Sequence, residues 1–83
     1  MNSEKQVLGI LDEVLSLNGR TSTFTHATTL LGSLPELDSM AVANLLAAFE
    51  DRFDFVIDDD EIDGSVFATV GSLINFVDAK LDG

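Results

Sequence analysis

Apolar residues along this chain fall into three runs with three- and four-residue spacing, separated by stretches where that spacing is lost. In the first run Val7, Leu8, Leu11, Val14 and Leu15 make one face of a helix. Ser3-x-x-Gln6 in front of it predicts a capping box, and Asn18-Gly19 behind it predicts a left-handed stop. The second run predicts a helix from Ser39 to Phe53. Stepped at about 100° per residue, Val42, Leu45, Leu46, Phe49 and Phe53 share its core face. Met40, Ala43, Asn44, Ala47, Glu50 and Asp51 fall on the opposite face, which is smooth beyond Met40. The third run, Val70, Leu73, Ile74, Val77 and Leu81, predicts a last helix capped by Thr69.

The connections are unequal. Arg20 to Asp38 is long for a loop in a compact domain, a length often associated with function. Gly32 and Pro35 punctuate it. Leu30, Leu31, Leu34 and Leu37 make it too apolar for a free linker and predict that it is pinned onto the core. After Phe53, Asp58-Asp59-Asp60-Glu61 reads as the acidic start of a short third helix, favoured by the helix dipole and limited by Gly64. Val66 and Phe67 are expected to pack inward. Phe53-x-Phe55-x-Ile57 is too short an alternation to count as a strand. The expectation is one domain, residues 1–83, and an all-α four-helix bundle with three longer helices and one short one.

Composition narrows the function. Fifteen acidic residues face four basic ones, for a net charge of −11. Such a surface repels nucleic acid and anionic lipid and attracts basic protein surfaces. Apolar residues make up 46% of the chain at helical spacing, which separates it from acidic disordered segments. There is no cysteine, so disulfides, zinc thiolates and thiol nucleophiles are excluded. The polar start Met1–Gln6 does not read as a signal peptide, and no apolar run is long enough to span a membrane. A cytoplasmic monomer is expected.

Chemistry concentrates at Asp38-Ser39, where the long loop meets the second helix. Alone, this pair reads as a helix cap. Yet a phosphate on the Ser39 hydroxyl would face free backbone N–H groups and the positive end of the dipole, an arrangement suited to a phosphodiester. Leu37-Asp38-Ser39-Met40, followed by an amphipathic helix to Glu50-Asp51-Arg52-Phe53 and an acidic stretch, resembles the acyl carrier proteins. The resemblance covers nearly the whole chain. It implies the acyl-carrier type of four-helix bundle and a Ser39 esterified with 4′-phosphopantetheine by a phosphopantetheinyl transferase. It also implies Asp38 as the motif's acidic neighbour and acyl groups carried as thioesters. Met40, Ala43, Asn44, Ala47, Glu50 and Asp51 would be the side facing partner enzymes, which load and transfer acyl groups in lipid biosynthesis and dock through basic patches.

Three departures accompany the resemblance. Met40 stands where the family has Leu, a volume-conserving change. The loop Gly32–Leu37 is longer than in typical fatty-acid carriers, and the second helix has no charge between Ser39 and Glu50. A specialised carrier is therefore expected, and Leu34 to Met40 is most similar to carriers of exopolysaccharide and protein-sorting clusters.

Other readings stay open. A peptidyl or aminoacyl carrier shares the Ser-at-helix-start design, and an acidic adaptor would share the fold without a cofactor. Asp59-x-Glu61-x-Asp63-Gly64 matches half of an EF-hand calcium loop, but Val70 stands where the bidentate Glu belongs, so no metal site is expected. His26 is the only histidine and lies in a Thr-rich loop, and Ser39 lacks the Gly-x-Ser-x-Gly elbow, so neither points to an enzyme.

Overall fold

The computed structural model describes residues 3–82; the polar start at Met1-Asn2 lies outside them. Three α-helices follow in order: α1 (Glu4–Leu15), α2 (Ser39–Phe53) and α3 (Val70–Asp82). Short 3₁₀ turns at Arg20–Thr23 and Asp59–Glu61 interrupt the two connections. The all-α class is as read, but the expected short third helix is a single 3₁₀ turn of three residues. The Glu61 carboxylate folds back onto the Asp58 N–H at 2.9 Å, and the Asp63 carboxylate holds the Ser65 N–H at 2.9 Å. These side chains bond the backbone locally and favour turns over a continued helix.

Both ends of α1 differ from expectation. Ser3 makes no capping bond. Ser3 holds the N-cap position, but its backbone (φ −96°, ψ 8°) is not the extended one that aims a hydroxyl at the first-turn amides. Its N–H donates instead to the Asp78 carboxylate of α3 at 3.0 Å. At the other end Ser16 adopts the left-handed conformation (φ 54°), ahead of Asn18 and Gly19. That early break lets Leu17 turn back into the core, where it is 1% exposed. Ile10 is buried with Val7, Leu11 and Leu15, while Leu8 and Val14 are half-buried.

The core forms where α1, α2 and α3 meet, around Leu11, Leu45, Phe49, Leu73 and Val77. Phe53 stacks on Phe55 with ring centres 5.7 Å apart, and Asp54 (φ 57°) ends α2. At the start of α3, the Thr69 hydroxyl accepts from the Ser72 N–H while the Ser72 hydroxyl accepts from the Thr69 N–H, both at 3.1 Å. This reciprocal cap is the one expected of Thr69, completed by a serine.

The long connection is strapped down. His26 to Leu31 runs antiparallel to Phe67–Gly71, with one bridge at Thr29–Thr69. Gly71 N–H bonds to the His26 carbonyl and Val70 N–H to that of Thr28, both at 2.9 Å. Leu30 N–H bonds to the Ala68 carbonyl and Leu31 N–H to that of Phe67, both at 3.0 Å. Leu30 and Leu37 are buried and Leu34 is half-buried, but Leu31 is not pinned inward as expected: it is 49% exposed. The chain turns at Leu31, where the Ser33 and Leu34 N–H groups close onto the Leu30 carbonyl, so Leu30 enters the core while Leu31 is left on the outside of the turn.

Candidate functional site: a serine at a helix start beside an apolar cleft

Asp38 and Ser39 divide their work. Asp38 is the N-cap of α2, in extended backbone (φ −112°, ψ −176°). Its carboxylate accepts from the Ala41 N–H at 2.8 Å, and its carbonyl accepts from the Val42 N–H at 2.9 Å. Ser39 is therefore the first residue of a 15-residue helix, and it is exposed. The amides of Ser39 and Met40 lie ahead of any helical carbonyl that could reach them, so they are available to an anion.

Ser39 also lies on the wall of a cleft of about 270 Å³. Leu31, Val42, Ile62, Asp63, Gly64 and Phe67 line the rest, so the surface is almost wholly apolar. Three segments meet there: the strapped loop, the start of α2 and the turn before α3. Val66 and Phe67, expected to pack inward, are both buried, and Phe67 forms part of the cleft wall as well. Leu31, Asp63 and Gly64 are liners that sequence reasoning missed. The signal for Leu31 was an apolar residue directly before the turn residue Gly32; for Gly64 there was none beyond a turn.

Along the outer face of α2, Met40 is 74% exposed, and Ala43, Asn44, Ala47 and Asp51 are exposed with it. Glu50 differs from these. It is half-buried, and its carboxylate accepts from the Ile57 N–H at 2.8 Å, which ties the end of α2 to the chain that follows.

No protein-family model matches the chain, and no curated protein matches it. Among solved structures it is similar to the holo acyl carrier protein of Nitrosomonas europaea, determined in solution by NMR. The two are 49% identical over 100% of both chains, with a TM-score of 0.92. The chain belongs to the acyl carrier protein family. It is a carrier and not an enzyme.

The carrier's surface charges are held by hydrogen bonds and ion pairs. Asp63 is kept below its ordinary value by the Ser65 hydroxyl first and then by the Ser65 N–H. Glu61 is lowered by the Asp58 N–H and then by Lys80, whose ammonium lies 2.9 Å from the carboxylate. Glu36, in the loop before α2, is lowered by its own backbone N–H and then by its ion pair with Arg20. Arg52 of α2 pairs with Glu13 of α1 at 2.7 Å. Among the described residues Arg20, Arg52 and Lys80 are thus engaged with acids. Among the described residues no cluster of His, Asp and Glu could hold a metal ion, and no helix is long and apolar enough to cross a membrane. The Asp59 side chain, part of the calcium-loop pattern, lies outside the described part.

Proposed function

We propose that this carrier bears 4′-phosphopantetheine on Ser39 and presents acyl groups to partner enzymes of lipid biosynthesis or a related pathway. The observation that carries the reading is Ser39 itself: exposed, first in its helix, and on the wall of an apolar cleft. The residues fit the group. A phosphodiester on the Ser39 Oγ has the helix start and its free amides beside it. When bound, the group supplies the thiol on which acyl chains are carried as thioesters. Asp38 orients this end of the helix through its bond to Ala41, and the cleft gives an alkyl chain a surface out of water. Its lining favours an acyl cargo over an aminoacyl one.

The partners in this reading are a phosphopantetheinyl transferase and enzymes that load and transfer acyl groups. Met40, Ala43, Asn44, Ala47 and Asp51 form the face they approach, with Glu50 at its edge. Small side chains permit close contact, and Met40 is an adaptable apolar anchor. The carrier is expected to act as a cytoplasmic monomer. The test is intact mass after incubation with a broad-specificity phosphopantetheinyl transferase and coenzyme A. Wild type should gain one 4′-phosphopantetheine, and Ser39→Ala should gain none while keeping its helical circular dichroism. Modification of the alanine variant would refute the site.

A further inference from the structure

Two unlike residues sit next to each other on the wall of the cleft that Ser39 also lines: Leu31, a large apolar side chain left half in solvent, and Gly64, which has no side chain. A Cβ placed on Gly64 would meet the Leu31 Cδ2 at 4.0 Å, an ordinary van der Waals contact, and nothing closer. A methyl group there just touches Leu31; a longer side chain can reach along Leu31 and over the cleft.

The walls of the cleft also differ in freedom. The backbone of Leu31 is held by its N–H bond to the Phe67 carbonyl, and Leu30 by its bond to Ala68, each at 3.0 Å. The peptide is fixed while the exposed side chain can exchange rotamers quickly. The inner wall, Phe67, is 2% exposed and packed into the core. Among the apolar side chains lining the cleft, Leu31 is the exposed one. It is the movable wall.

We propose that Leu31 and Gly64 set the size of the acyl group the cleft admits. This rests on the carrier reading and adds to it a specificity determinant. A partly open cleft of about 270 Å³ is finite, so it bounds the length of alkyl chain that it can shelter. An alkyl chain buried only in the folded carrier stabilises it, so the melting temperature reports admission directly.

The experiment loads the pantetheinylated carrier with saturated acyl chains of increasing length and measures the melting temperature of each. In wild type the temperature should rise with chain length and then level off. Gly64→Ala should shift the profile only slightly, since its methyl group just touches Leu31. Gly64→Leu should flatten the profile, with nuclear Overhauser contacts between a labelled chain and the Phe67 ring lost. Leu31→Ala, at a half-exposed position that tolerates truncation, should move the plateau to longer chains. The proposal is overturned if Gly64→Leu tracks Gly64→Ala; should Gly64→Leu fail to fold, an unchanged plateau in Leu31→Ala overturns it. Masses taken before acylation separate the two readings: a normally pantetheinylated carrier with a flat wild-type profile sinks the gate alone, and an unmodified wild type sinks both.

Discussion

Replacing Asp38 by alanine tests how the site is held. The carboxylate of Asp38 bonds the Ala41 N–H at 2.8 Å across the first turn of α2. Alanine leaves that donor without its protein acceptor, and loss of such a cap costs about 1 kcal/mol. In a domain of this size that lowers the melting temperature by roughly 4–8 °C. Asp38→Asn keeps an oxygen acceptor in the same place and forfeits only the charge–dipole attraction, about 0.3–1 kcal/mol and at the lower end for an exposed group. The expected order is therefore wild type, then asparagine close behind, then alanine. Thermal and urea denaturation of the unmodified carrier give the energies, and amide exchange gives the location. Ala41 and Val42 should exchange faster in the alanine variant, while Leu45 and Phe49, buried at 0% exposure, should not. Equal destabilisation by alanine and asparagine would refute the cap, because it would assign the whole effect to charge. A wild-type melting temperature in Asp38→Ala would refute it outright.

Three further outcomes follow from the geometry. Gly71→Ala should cost about 1–3 kcal/mol, because a Cβ there would lie 2.9 Å from the His26 carbonyl oxygen, and faster exchange at Leu30, Leu31 and Val70 would mark the loosened strap. Carboxyl NMR titration should find Glu36, Glu61 and Asp63 below their ordinary values. Since folding lowers them, their contribution to stability is complete above the ordinary value (4.5 for Glu61) and is lost as pH falls through the lowered one. Lys80→Met should move the Glu61 midpoint upward yet leave it below ordinary, because the Asp58 N–H remains; a midpoint at or above 4.5 in wild type would contradict the structure. Met40→Asp should slow loading by the transferase more than Asp51→Lys does at physiological salt, with both keeping wild-type helicity, and an unimpaired Met40→Asp would show that partners read another face. Glu50→Lys is a poor probe of docking, since it also removes the bond to the Ile57 N–H, worth about 1 kcal/mol.

Several features were legible along the chain. The span Ser39–Phe53 of α2, its buried Leu45 and Phe49, the Thr69 cap and the position of Ser39 all follow from neighbours within about four residues. Others depended on residues far away. Ser3-x-x-Gln6 has the form of a capping box, but Asp78, 75 residues on, captures the Ser3 N–H. Asn18-Gly19 has the form of a helix stop, but the helix already breaks at Ser16, where Leu17 turns back into the core. Glu50 falls on the outer face of a helical wheel, but its side chain is long enough to reach Ile57 beyond the helix end.

By itself, then, the sequence determined the three helical spans within a few residues, the acidic surface and the serine at a helix start, because periodicity, charge and capping act over one or two turns. Only the tertiary structure decided that the long loop is a strap hydrogen-bonded to the start of α3, and that Leu31, Ser39 and Gly64 share one cleft. Those facts require segments separated by more than twenty residues to meet, and no local pattern encodes which backbone amides will find which carbonyls. Packing of Leu30, Phe67 and Val70 into one core does so, by bringing the two stretches side by side where their polar groups must pair or remain unsatisfied.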